Sequence, residues 1–252
     1  MTKAHKVAKK NLHIAFPDIR NYEEEQILEK MWDNLGRVCA EIPHLAKLDS
    51  DEFFKRVKHI DPHYIADQKE SENGAFFMSA HYGNWELLAR TAYERSIDII
   101  TVYRAPNNPY VDKIIRSTRD AHQDRSIQKG KEGAKDLIRC IKNKRHIGLL
   151  IDQKMNDGIA VPFFGKDAMT APAMANLALK YDVPVIPVRM LRTNGAYFEA
   201  KAYPPLTFER TGDMKEDIRL AMCQINLLLE EWIREHPEQW FWVHNRWPKE
   251  TT

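Results

Sequence analysis

The segment Ser79-Ala-His-Tyr-Gly-Asn-Trp-Glu86 sets an imidazole and a carboxylate five residues apart. These are the two groups that general-base chemistry on a hydroxyl requires. A carboxylate bonded to one ring nitrogen fixes the tautomer and stabilises the imidazolium. The other nitrogen can then accept a proton. His81 and Glu86 thus read as the histidine–acid half of a triad, with the substrate's own hydroxyl in place of the serine. On one continuous helix the two side chains would diverge, because five residues rotate by about 140°. A turn must lie between them, and the segment supplies one. Ala75–Ala80 (AFFMSA) is a short apolar run that reads as buried strand, Gly83 permits a sharp turn and Asn84 is a good N-cap. Glu86 then falls in the first turn of the next helix, where the macrodipole favours a carboxylate. A histidine at a strand end also fits a core residue satisfied by its neighbours, so spacing alone leaves both readings open.

The elements that must hold this pair are read from periodicity. Tyr22–Leu48 carries Ile27, Met31, Leu35, Val38 and Ile42 at helical spacing. After the AFFMSA strand, Trp85–Arg95 reads as helix, Ile97–Tyr103 as strand, and Pro109–Ala121 and Lys131–Lys142 as helices. His146–Ile151 is a second buried strand, Pro172–Tyr181 a helix and Val183–Arg192 a strand paired with Tyr197–Tyr203. Met214–Arg234 is a long helix with Ile218, Ala221, Ile225, Leu228 and Trp232 on one face. This alternation predicts an α/β sandwich with a largely parallel sheet and flanking helices, with chemistry gathered where strands pass into helices. One domain over 1–252 is expected, with a helical appendage over 1–60 and an α/β core over 61–252.

Composition bounds the partners. The formal net charge of +2 does not mark a nucleic-acid binder. Cys39, Cys140 and Cys223 are widely spaced, form no CxxC pattern and suit a reducing compartment. No run of about 18 apolar residues spans a membrane, and the start lacks the apolar region of a signal peptide. Membrane contact should therefore be peripheral, unless the chain begins further upstream. Lys3, Lys6, Lys9 and Lys10 precede Pro17 with no acid among them, as on a solvated helix face or a surface that meets anionic lipid. Asp152, Asn156 and Asp157 miss the calcium-loop spacing, because Gly158 stands one place too late, and no HExxH is present. Neither a metal nor a cofactor is expected. Phe163, Phe164, Trp240, Phe241, Trp242 and Trp247 suit a membrane interface, but alternating burial explains the last four equally well. Arg104, Arg119, Arg189 and Arg192 could form a phosphate-binding lane, since the guanidinium fork suits phosphate; for Arg189 and Arg192 surface ion pairing is preferred.

HYGNWE resembles the H-x4-D/E motif of the glycerolipid acyltransferase superfamily, and nearly the whole chain resembles the lipid A late acyltransferases. The matching blocks are AKKNLHIAFPD (Ala8–Asp18), VYRAPNNP (Val102–Pro109), Arg119, Asp152 after a buried strand, VPFFG (Val161–Gly165) and PEQWFWVHNRWP (Pro237–Pro248). Two departures stand out. The segment DQKMNDG (Asp152–Gly158) has Lys154 where better-known members carry a second acid, and the hydrophobic anchor helix that usually opens the family is not seen.

The resemblance implies His81 as general base, Glu86 as its orienting carboxylate and Arg119 as an active-site arginine. It also implies Arg104 beside a substrate phosphate or sugar, and Asp152 as the acid of its block. The implied reaction moves a fatty acyl chain from an acyl carrier protein thioester to a hydroxyl of a lipid A precursor, at the cytoplasmic face of the inner membrane. No acyl-enzyme is expected, since no Ser or Cys nucleophile sits beside the histidine. The backbone amides of Gly83 and Asn84 are oxyanion donors in this scheme. Another glycolipid or lysophospholipid acceptor, a thioesterase-like hydrolase and a non-catalytic lipid-binding protein are the alternatives.

Overall fold

The computed structural model describes residues 2–45, 47–70, 73–103, 108, 110, 112–113, 126–128 and 131–248. The chain forms two compact units that interleave in sequence. One comprises Met1–Gly36, Ile151–Leu179 and Thr207–Thr252; the other comprises Arg37–Leu150 and Lys180–Leu206.

The second unit carries a seven-stranded sheet. Its strands, numbered along the whole chain, are β1 (Val57–Ile60), β2 (Phe76–Ser79), β3 (Ile99–Tyr103), β4 (Ser126–Gln128), β5 (His146–Leu150), β8 (Val185–Asn194) and β9 (Tyr197–Ala202), in the order β1-β9-β8-β2-β5-β3-β4. All pairs are parallel except β8 with β9. The largely parallel α/β sheet read from the sequence is thus present. β2 sits between β8 and β5, with Phe76 in register with Val185 and Ile147. Its four residues are all buried, which is why FFMS is continuous rather than alternating. Helices α3 (Ser50–Arg56), α4 (His63–Glu70), α5 (Leu87–Glu94) and α6 (Lys131–Lys142) belong to the same unit. Ile65 of α4 and Ala92 of α5 pack with Phe77, Ile99, Ile186 and Val188 on one sheet face.

Several boundaries agree with periodicity: α6 runs over Lys131–Lys142, and β9 pairs beside β8. The helix expected over 109–121 falls almost wholly outside the described residues. Residues 1–60 hold α1 (Lys3–Ala15), α2 (Asn21–Leu45) and α3, and end in the edge strand β1.

On β1, His59 Nδ1 accepts from Arg95 Nε at 2.7 Å, while Nε2 is buried without a hydrogen bond. Burial, with the Arg95 charge beside it, pushes the His59 pKa down to about 4 from 6.5. Between those values the unfolded chain binds the proton and the folded protein does not. Stability is therefore complete above about pH 6.5 and falls as pH drops towards 4. His59→Asn, which keeps an acceptor for Arg95 and cannot titrate, should flatten the decline of Tm across this window. An unchanged slope would assign the acid sensitivity to other groups.

The first unit is built from α1, most of α7 (Ala173–Tyr181), α8 (Met214–Glu235) and the antiparallel hairpin β6 (Lys154–Phe163)–β7 (Lys166–Thr170). Thr2 caps α1, accepting from His5 N at 3.2 Å. Ala8, Asn11, Leu12 and Ala15 form its buried face, and Lys3, Lys6, Lys9 and Lys10 are exposed. Asn11 donates to the carbonyls of Trp242 (2.7 Å) and His244 (2.5 Å), tying the two ends of the sequence together. Phe163, Phe164, Trp240, Trp242 and Trp247 are all buried. Arg246, fully buried, lies over the Phe163 ring and donates to Met169 O and Thr170 Oγ1. Burial lowers its pKa to about 10, against the opposing charge of Asp152. Packing thus accounts for these aromatics. Among the described residues no helix is long and apolar enough to cross a membrane.

Candidate active site

At the carboxyl end of β2 the chain stops pairing as strand and turns into α5 within eight residues. Tyr82 N donates to Ala80 O at 2.8 Å, closing a tight turn directly after the strand. Gly83 has φ = 57°, the left-handed conformation that a side chain would disfavour. Tyr82 is buried, with the Arg189 guanidinium 6.0 Å from its ring centroid. Asn84 is fully buried, and its Oδ1 accepts from Glu86 N at 3.2 Å.

Asn84 thus caps the turn that leads into the helix, its side-chain oxygen accepting two residues on. Backbone bonds from Leu87 N to Asn84 O and from Leu88 N to Trp85 O form a preliminary turn. α5 then begins at Leu87, with Glu86 itself in the cap position. The α-helical start read at Trp85 moves by two residues, because the first turn closes through i→i+3 rather than i→i+4 bonds.

Three side chains meet on this turn. Trp85 Nε1 donates to Glu86 Oε1 at 3.0 Å, and the His81 and Trp85 rings pack edge to face at 5.2 Å. His81 and Glu86 are half-buried, so a substrate can reach them and solvent does not surround them. Periodicity did not single out Trp85; its only signal was its position next to Glu86, where an indole N–H can bond the carboxylate.

Below the turn lies a cavity of ≈ 90 Å³ between the sheet and α5. Ser79 and Glu86 line it together with Leu88, Ala92, Ile99 and Gly148. The rest of the wall is mostly apolar, with Thr91 and Thr101 among its residues, and Ser79 Oγ is buried without a hydrogen-bond partner. Gly148 is in register with Phe77 of β2 and Thr101 of β3. A Cβ placed there would stand 3.0 Å from Ile99 Cδ1 and 3.5 Å from Thr101 Cγ2. A side chain at Gly148 would therefore press on Ile99 and Thr101, both of which line the cavity.

Gly83 and Asn84 form the turn, with their backbone between His81 and Glu86. Arg104 and Arg119 lie outside the described residues. Asp152 is in the first unit, buried, where its Oδ2 accepts from Trp240 Nε1 at 2.9 Å. Arg192 is ion-paired with Glu41, but with its side chain largely buried rather than at the surface; Arg189 is likewise buried. Among the described residues no group of three or more His, Cys, Asp or Glu could hold a metal ion.

Residues 1–249 match the family described as bacterial lipid A biosynthesis acyltransferase. A Haemophilus influenzae protein named lipid A biosynthesis acyltransferase is 25% identical over 251 residues, covering 95% of this chain and 76% of its own. The Escherichia coli lipid A biosynthesis lauroyltransferase is 21% identical over 252 residues, covering 98% of this chain and 79% of its own. Lipid A biosynthesis acyltransferase 2 of Shigella flexneri is 23% identical, with 96% and 76% covered.

Proposed function

Because the chain belongs to the bacterial lipid A biosynthesis acyltransferase family, we propose that it transfers a fatty acyl chain from an acyl carrier protein thioester to a hydroxyl of a lipid A precursor, with His81 as general base. The observation that supports this reading is the placement of Glu86. Its carboxylate lines an apolar cavity, on the same turn as His81 and at the carboxyl end of a central strand. Open α/β sheets bind ligands at that end.

In the proposed reaction the acyl chain lies in the cavity with its thioester carbonyl at the turn. His81 takes the proton of the acceptor hydroxyl while Glu86 orients the imidazole and stabilises its charged form. The hydroxyl oxygen bonds to the thioester carbon, and the oxyanion takes hydrogen bonds from backbone amides at Gly83 and Asn84. Collapse of this intermediate breaks the carbon–sulfur bond, and the thiolate takes the proton from His81. Arg104 and Arg119 are assigned to the acceptor's phosphate or sugar, where bidentate donors fix a charged group. Incubation with acyl carrier protein and coenzyme A thioesters, each with a panel of glycolipid and lysophospholipid acceptors, tests the assignment by product mass. The expected product is the acylated lipid A precursor formed from the carrier-protein thioester. Release of free fatty acid with every acceptor would favour hydrolysis.

Gly148 should set how long a chain the cavity accepts. Gly148→Val places carbon against Ile99 and shortens the floor, so preference should move to shorter acyl groups. Discrimination of about tenfold or more per excluded methylene is the usual scale. Competition between thioesters of several lengths reads the shift, and an unchanged product distribution would remove the cavity from the acyl path.

Because the acceptor is a bilayer lipid, the protein is proposed to bind the cytoplasmic face of the inner membrane peripherally. The exposed lysines of α1 are suited to anionic headgroups at about 1 kcal/mol each. Lys9 is also held 2.7 Å from Glu24 Oε1, which leaves Lys3, Lys6 and Lys10 as the main contributors. Flotation with anionic liposomes should be strong at low salt and weaken as screening shortens to about 8 Å at physiological ionic strength. Equal recovery at both salt levels would exclude an electrostatic share.

A further inference from the structure

Glu41 and Arg192 lie 151 residues apart in sequence, yet they form a bidentate pair. Arg192 Nη1 donates to Glu41 Oε1 at 2.6 Å and Nη2 to Oε2 at 3.0 Å. Nη1 also donates to Gly195 O at 2.6 Å, and the guanidinium lies 4.6 Å from the centroid of the buried Phe198 ring. The arginine is therefore fixed by the turn between β8 and β9. Glu41, near the carboxyl end of α2, also accepts from Asn84 Nδ2 through its Oε2 at 2.6 Å.

That contact decides which way the Asn84 amide faces. A carboxylate accepts only, so the Asn84 NH₂ must point to Glu41 and its carbonyl oxygen to the other side. On that side Oδ1 receives Glu86 N–H at 3.2 Å. The links thus run from the β8–β9 turn through Arg192, Glu41 and Asn84 to the backbone of Glu86. Neither Glu41 nor Arg192 lines the cavity. We infer that Glu41 and Arg192 are positioning residues, which act through the Asn84 side chain to fix the backbone direction from which the Glu86 carboxylate reaches His81. This rests on the acyl-transfer reading given above. Charge-assisted bonds are the stronger kind, and the Glu41 carboxylate is held by the arginine while it orients the amide.

Reversing the polarity of the link gives the test. Asn84→Asp retains an acceptor for Glu86 N–H but sets two carboxylates against each other. Glu41→Gln alone weakens the pair with Arg192 and leaves the Asn84 amide free to face either way. In the double variant the introduced glutamine NH₂ can donate to the introduced aspartate, restoring one directed bond. Each single variant should lower kcat about tenfold to 10²-fold, the scale of a misplacement of about 1 Å, with KM for the thioester unchanged. The double variant should regain most of the lost kcat. Wild-type kcat per folded molecule in both single variants, or a double variant no better than the singles, would overturn the inference.

Hydrogen exchange at the Glu86 amide provides a readout independent of turnover. It should be slow in the wild type and fast in Asn84→Ala at unchanged global stability. Equal exchange in the two proteins would overturn the inference. An inactive wild type with the expected exchange difference would instead remove the acyl-transfer reading and retain the link from Glu41 to Glu86.

Discussion

His81→Ala is expected to lower kcat for acyl transfer by ~10²–10⁴-fold, the usual cost of losing a general base, at unchanged Tm. The side chain is half-buried at the end of a strand, and the turn it sits on is closed by backbone bonds and by Tyr82, Gly83 and Asn84. The fold should therefore tolerate the truncation. Glu86→Ala should cost less, because the base remains while its orienting partner is gone. That variant also frees the Trp85 indole N–H, which now donates to Glu86 Oε1. Parallel measurement of kcat, KM and Tm separates the two effects. A folded His81→Ala protein with near-wild-type kcat would remove the histidine from the chemistry, and equal activity in Glu86→Ala would leave His81 acting alone.

Trp242→Ala should destabilise the protein by ~3–5 kcal/mol, the range for deleting a large buried aromatic. The indole is fully buried and packs edge to face on Trp240 with ring centroids 4.6 Å apart. Its Nε1 donates to Pro237 O at 2.6 Å. Its carbonyl anchors Asn11 of α1, so the loss should loosen both termini. Chemical denaturation with a constant m-value reads the change. A shift below about 0.5 kcal/mol, the range of ordinary surface substitutions, would mean that the side chain is not core.

The sequence made the active turn legible because each of its residues is constrained locally. FFMS is buried on both faces and so reads as an apolar run, Gly83 is needed for its positive φ, and the Asn84 side chain acts within two residues. The two-residue difference at the start of α5 comes from its first turn, which closes through i→i+3 bonds ahead of the α-helical ladder. Strand β1 has the sequence VKHI, with only Val57 buried and no alternation to detect, and β4 is three residues long. Both exist because neighbouring strands pair with them. The β6–β7 hairpin was missed where DQKMNDG enters it, since its charged residues look like loop. Asp152 and Trp240 are joined across 88 residues, and Glu41 and Arg192 across 151. No local pattern announces such pairs. Family likeness pointed to Asp152 and the motif to Asn84, but only the fold assigns their partners.

The most direct test concerns how the acyl group travels. Ser79 lines the same cavity as Glu86, with a buried hydroxyl lacking a hydrogen-bond partner, and is the obvious competitor for a covalent route. The enzyme should be quenched during turnover with an acyl carrier protein thioester and lipid A precursor vesicles, and protein and lipid weighed intact by mass spectrometry. Direct transfer with His81 as base predicts an unmodified protein mass at every time point and a lipid heavier by one acyl group in place of one hydrogen. A protein heavier by that same acyl group, appearing before the lipid product and lost in Ser79→Ala, would contradict it.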